Sequence, residues 1–178
     1  LNYPDHPQFK APGRGSTVLE KRGMKLAVLQ VMGRVFMDSI DCPFRAAEKE
    51  VEKFDNLGIR CIFVDFHGEA SSEKQAFAHF MDSKVSAVVG SHSHVQTADE
   101  RVLEGGTAAI TDVGMCGCFD SVIGMKKEIV IEKFLTKRPR KFEPAEGPGG
   151  YGAVLVDIDE ASGRARTIRR FRETVVTN

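Results

Sequence analysis

Three short apolar runs, at residues 25–31, 59–66 and 85–89, are separated by two stretches in which apolar residues recur every three to four positions. A continuous apolar run of this length marks a strand covered on both faces, and the intervening period marks an amphipathic helix. Residues 43–57 place Phe44, Ala47, Val51 and Phe54 on one helical face. Asp41 is the candidate N-cap, Pro43 sits in the first turn, and Gly58 is the stop. Residues 71–81 carry a Phe77, Phe80 and Met81 stripe with Ser71 or Ser72 as the cap. Strand, helix, strand, helix, strand is a right-handed βαβ series, which requires parallel pairing. A fourth strand is expected at residues 107–111. The last third changes character: a helix at 126–135, then strands at 151–158 and 164–173 around the turn signal 159–163. The fold class is α/β, and 178 residues suffice for a single domain over 1–178 with a sizeable core.

The chemistry gathers where these runs end. The second run closes as Val64-Asp65-Phe66-His67-Gly68-Glu69, and the third leads into Gly90-Ser91-His92-Ser93-His94. In open α/β sheets that edge is where ligands bind. In an extended segment, residues i and i+2 project to one side, so His92 and His94 are expected to face one point. His67, His92 and His94 are therefore candidate ligands for zinc, iron or manganese. Asp65 shares its side of the strand with His67. With Glu69 and with Asp112, at the end of the fourth run, it is a candidate to orient a ligand rather than bind directly. Three imidazoles alone suit a mononuclear zinc hydrolase with a position left for water. A two-metal site needs further carboxylate, oxygen or nitrogen ligands. For the aspartates, capping or accepting a buried hydrogen bond is the competing role. His79, within a helical stripe, and His6, in a Pro-rich loop, read as packed or solvated.

Composition narrows the function classes. Lys and Arg number 25 and Asp and Glu 25, so no global field favours a nucleic-acid polymer or an anionic membrane. The basic run 137–141 reads as a solvated loop. No apolar stretch approaches the ~20 residues of a membrane span, and no signal peptide is evident. Cys42, Cys61, Cys116 and Cys118 lack the spacing of a zinc ribbon or a secreted framework, which points to a reducing cytoplasm. No Gly-x-Ser-x-Gly elbow supports a serine hydrolase. Residues 1–15 form a Pro/Gly-rich loop, and the chain reads as though it begins in mid-fold.

Residues 64–74, Val-Asp-Phe-His-Gly-Glu-Ala-Ser-Ser-Glu-Lys, resemble the D-F-H-A-E-A-T-S-E-K segment of YmdB-like metallophosphoesterases. Residues 89–99, Val-Gly-Ser-His-Ser-His-Val-Gln-Thr-Ala-Asp, are similar to that family's G-T-H-T-H-V-x-T-A-D. Thr111-Asp112-Val113-Gly114-Met115, Gly33-Arg34-Val35-Phe36 and Ala145-Glu146-Gly147 match further segments in order. The resemblance implies part of a four-layer α/β/β/α sandwich of the calcineurin-like phosphoesterases. It implies two divalent or first-row transition metal ions (Fe, Mn or Zn), with His67 and His92 on one and His94 on the other. The implied reaction is hydrolysis of a small-molecule phosphodiester, with cyclic nucleotides as the associated substrates, in a cytoplasmic and often homo-oligomeric protein. The family's aspartate, bridging glutamate, asparagine and catalytic histidine are expected upstream of Leu1, which would leave this chain as a C-terminal portion with an exposed sheet edge. A truncated, non-catalytic metal-binding or regulatory module is the alternative. Ser91 and Ser93 stand for the family's threonines, and Cys116-Gly117-Cys118 for a Thr-Gly-Pro type stretch.

Overall fold

Strands β2 (Met24–Met32), β3 (Cys61–His67), β4 (Ala87–Ser91) and β6 (Ala108–Ile110) run parallel through the centre of a six-stranded sheet. Antiparallel edge strands β1 (Ser16–Lys21) and β5 (Arg101–Val102) complete the order β1-β2-β3-β4-β6-β5. These features come from a computed structural model, which describes residues 1–4 and 12–175. His6 lies outside the described residues.

Helices α1 (Pro43–Asn56) and α2 (Ser71–Phe80) make the two crossovers from β2 to β3 and from β3 to β4. Successive right-handed crossovers stepping in one direction put both helices on the same face. Ala47, Val51 and Phe54 of α1 and Phe77 of α2 are accordingly buried with Leu29, Val31, Ile62, Val64 and Phe66. Phe44 meets Phe77 edge-on at 5.3 Å and Phe80 at 5.4 Å, which joins the helices to each other. The expected caps are displaced by one residue. Cys42, not Asp41, precedes α1, and Ala70, not Ser71 or Ser72, precedes α2; neither makes a side-chain cap bond. Pro43 starts α1 by its preset φ instead, and Gly58 ends it at φ +70°.

The opposite face of the sheet meets a second sheet, in which β7 (Cys116–Cys118), β8 (Gly149–Ile158) and β9 (Ala165–Thr174) are antiparallel. Small residues bring the layers close: Ala87 and Ala108 pack on Ala165, with Phe63, Val156 and Ile168 around them. The hairpin turn is stitched to the base of the first sheet. Ser86 Oγ donates to Gly163 O at 2.6 Å, and Ala165 N donates to Gly106 O at 2.8 Å. The layers thus run helix, sheet, sheet. A third helix, α3 (Lys127–Thr136), buries only Val130, and the basic run after it is exposed. Among the described residues no helix is long and apolar enough to cross a membrane.

Because side chains alternate along a strand, Ile62, Val64 and Phe66 point into the helical layer. Asp65 and His67 then project on the side of the second sheet, and the register His67↔Ser91 sets Ser91 beside them. That alternation carries the polar residues of β3 to one edge.

Candidate active site

His67 is the last residue of β3, and its Nδ1 lies 3.1 Å from Ser91 Oγ. The Ser91 hydroxyl in turn donates to Asp65 Oδ1 at 2.8 Å. Since Ser91 spends its only proton on the carboxylate, its oxygen accepts from His67, which puts the imidazole proton on Nδ1. His92 Nε2 sits 2.8 Å from Glu69 Oε2, so that nitrogen carries the proton toward an acceptor-only carboxylate. His94 Nδ1 lies 2.9 Å from Ile123 O, which likewise only accepts. Each ring has one nitrogen committed, leaving His67 Nε2, His92 Nδ1 and His94 Nε2 as the nitrogens not bound to these partners.

Two of those nitrogens converge. His67 Nε2 and His92 Nδ1 are 3.1 Å apart, with the rings nearly perpendicular at 83°. Burial pulls the His67 pKa below its ordinary value, and neighbouring His92 and Lys74 add to this against the opposing Asp65 and Asp112. The two nitrogens are close enough either to share one proton or to bind one cation between them. The separation suits two nitrogens bound in adjacent positions to one ion at about 2.0–2.1 Å. The outer partners, Ser91–Asp65 and Glu69, are of the kind that orient metal-binding imidazoles. The donor set fits a first-row metal ion.

His92 and His94 do not share a strand face as the i, i+2 spacing predicts. β4 ends at Ser91, and the chain then turns with φ +130° at His92 and +64° at His94. Left-handed backbone at two non-glycine residues is uncommon and marks a tightly held functional turn. The rings consequently diverge, His92 toward His67 and His94 toward Ile123. All three still line one cavity of about 480 Å³, with Ser91, Met115 and Cys116. Among the described residues no three His, Cys, Asp or Glu side chains close into a metal cage. A mononuclear site of three imidazoles is therefore not preassembled.

Asp112 stands behind the turn, 1% exposed, and accepts from Ser93 N at 2.9 Å and Gly114 N at 3.0 Å. Lys74, 3% exposed on α2, donates to Asp112 Oδ2 at 2.9 Å and to Ser91 O at 3.1 Å. Burial would raise the Asp112 pKa, but the Lys74 ammonium and the two amides hold it below the usual carboxylate range. This buried pair fixes both ends of the Ser91–Ser93 backbone. Lys74 appears in the sequence only as the last residue of the 64–74 motif, and its pairing with Asp112, 38 residues away, is not legible there. The role of Gln96 is silent there: its Nε2 lies within 3.2 Å of Val113 O, Ala153 O and Phe171 O, tying the loops after β4 and β6 to the second sheet. Cys116 is exposed in the cavity and Cys118 buried, both as free thiols. His79 is exposed on α2.

Comparison with known proteins agrees with this frame. The YmdB-like protein family matches residues 1–171. A 2',3'-cyclic-nucleotide 2'-phosphodiesterase of Bacillus subtilis (strain 168) is 43% identical over 170 residues, covering 96% of this chain and 62% of that protein. The crystal structure of a hypothetical protein from Thermus thermophilus superposes with TM-score 0.88 at 40% identity, covering 97% of this chain and 65% of that one. A novel phosphatase from Mycoplasma pneumoniae superposes with TM-score 0.87 at 31% identity, over 98% and 62%. The chain thus spans less than two thirds of the length of each of these relatives. With the two histidine motifs, the strand order and the near-complete match all in agreement, the chain belongs to the YmdB-like family.

Proposed function

We propose that this chain supplies one wall of a dinuclear metal site that hydrolyses phosphodiesters, with cyclic nucleotides as its substrates. The observation that carries the reading is the convergence of two imidazole nitrogens, His67 Nε2 and His92 Nδ1, at 3.1 Å. His67 and His92 would hold one ion. His94, turned away in the same cavity, would serve a second, which matches the division implied by the family motifs. The metal ions, when bound, supply Lewis acidity toward a phosphoryl oxygen and activate water. The chain's own residues do the rest. Asp65 through Ser91, Glu69 and Ile123 O fix which nitrogen of each histidine is free, and Lys74–Asp112 keeps the His92–His94 turn rigid. The relative acting on 2',3'-cyclic nucleotides supports the substrate class. Four free thiols suit a reducing compartment, so the cytoplasm is the expected setting.

Elemental analysis of the purified protein, paired with turnover of 2',3'-cyclic AMP, tests this reading. The expected result is about two first-row ions per chain with hydrolysis, and His92→Ala losing metal and activity together. Unchanged metal content in His92→Ala overturns the ligand assignment. Metal-loaded protein without turnover overturns the phosphodiesterase reading in favour of a non-catalytic metal-binding module.

A further inference from the structure

Beside the histidine cavity lies a second one, of about 330 Å³, whose walls are Val95, Met115, Phe119, Val122 and Ile123, with Arg172 at its side. It shares His94, Gly114, Met115 and Ile123 with the histidine cavity, so the two are neighbouring compartments of one depression. We propose that this compartment seats the nucleobase of the substrate, held between its apolar walls and the Phe119–Arg172 pair. The inference takes its ligand from the phosphodiesterase reading and adds the residues that select it.

Three observations carry it. The first is placement: a ligand whose phosphodiester reaches the histidines lays its next group past His94, and in a cyclic nucleotide the group beyond the ribose is the base. The second is chemistry. The Arg172 guanidinium lies 4.3 Å from the Phe119 ring centroid and, among the described residues, pairs with no carboxylate. An arginine stacked on an aromatic ring offers both a planar surface and hydrogen-bond donors, the combination that proteins use on exposed bases. The volume sits at the low end of the ~300–1,000 Å³ of ligand pockets, which suits one aromatic heterocycle rather than a polymer.

The third is rigidity. The wall formed by Ser121, Val122 and Ile123 is a self-bonded turn: Ser121 Oγ donates to Cys118 O at 2.6 Å, and Gly124 N donates to Ser121 Oγ at 2.9 Å. Ile123 adopts φ +47°, a costly conformation for a β-branched residue, and its carbonyl is the one that accepts from His94. The same turn therefore shapes the base compartment and orients His94. A base pressed against it adjoins the group that sets the His94 lone pair.

Two measurements test the proposal, with Arg172→Ala as the first variant because Arg172 is exposed. Phe119 packs on Gly150, so Phe119→Leu, which keeps apolar volume and removes the π face, is the second. In the first measurement, adenosine binding to the chain is followed by saturation-transfer NMR. Binding by wild type that weakens about tenfold in either variant is expected. No binding, or equal binding in all three proteins, overturns the proposal. In the second, kcat/KM for 2',3'-cyclic AMP is divided by that for the base-free glycerol 1,2-cyclic phosphate. Arg172→Ala lowers this ratio about tenfold if the base sits here, and an unmoved ratio overturns the assignment. Failure to hydrolyse either compound sinks the phosphodiesterase reading, while adenosine binding still decides the pocket.

Discussion

Replacing Lys74 by Met removes one half of a buried ion pair while keeping an unbranched apolar side chain of similar reach. Lys74 is 3% exposed and Asp112 1%, so water reaches neither. Stripping one partner from such a pair costs about 3–5 kcal/mol, because the other charge stays buried without its counter-ion. Asp112 keeps the amides of Ser93 and Gly114, so the low end, about 3 kcal/mol, is expected here. Against a typical total of about 5–15 kcal/mol the variant remains folded but is clearly weakened. Urea unfolding at pH 7 reads the difference, and repeating it toward pH 4.5 identifies its origin. In the wild type the Asp112 carboxyl is held below its ordinary pKa despite burial. Its contribution is therefore fully present above the unfolded value near 3.9 and lost only as pH falls through the lower folded value. In Lys74→Met the largest contribution opposing burial is gone, the carboxyl pKa rises, and protonation relieves the buried charge at higher pH. The stability gap between the two proteins should accordingly narrow as pH falls from 7 to 4.5. A gap below about 1 kcal/mol at pH 7 would refute the reasoning. A full gap that stays constant with pH would show the loss to be one of packing, not of charge.

Two further substitutions probe the frame and the outer ligand contacts. A Cβ at Gly90 would lie 1.8 Å from the carbonyl oxygen of Thr111, which is backbone and cannot swing aside. Gly90→Ala should therefore lower stability by about 3 kcal/mol or more, the scale of severe overpacking, and a thermal melt close to wild type would contradict the β4–β6 packing described. Ser91→Ala breaks the link from Asp65 to His67 and should weaken metal affinity about tenfold in chelator competition, the low end for loss of a ligand-orienting partner. Affinity equal to wild type would mean that the Ser91 hydroxyl does not orient the ring.

The parallel core is legible because its strands are buried on both faces and read as plain apolar runs. What escapes is what burial does not mark. β1 exposes five of its six residues and turns into β2 through Arg22 and Gly23, both at positive φ. Such a turn usually announces itself as Asn-Gly or Asp-Gly, and arginine in that place conceals it. β5 has two residues and β7 three, too few for any alternation to show. The caps of α1 and α2 mislead because neither helix uses a side-chain cap. Asp41 and the serines have the right chemistry one position from the place where the chain turns.

The histidines show the same limit at the site itself. Sequence spacing locates all three at the strand ends, and this follows from topology alone: parallel strands deliver their last residues to one edge. It cannot say where the rings point, since that depends on Gly90, Lys74 and Asp112 acting on the chain after Ser91. Gly90 allows β4 to press against Thr111, Lys74 holds Ser91 O, and Asp112 holds Ser93 N. With the backbone fixed on either side, His92 and His94 are forced through positive φ and their side chains are driven apart. A His-x-His pair on a true strand would converge on one ion. Bent in this way, the same two residues face different parts of the cavity, one toward His67 and one toward the Ile123 turn. The turn thus aims the two rings at different parts of the cavity, the division that the proposed two-metal reading requires, and the buried lysine–aspartate pair is what keeps it bent.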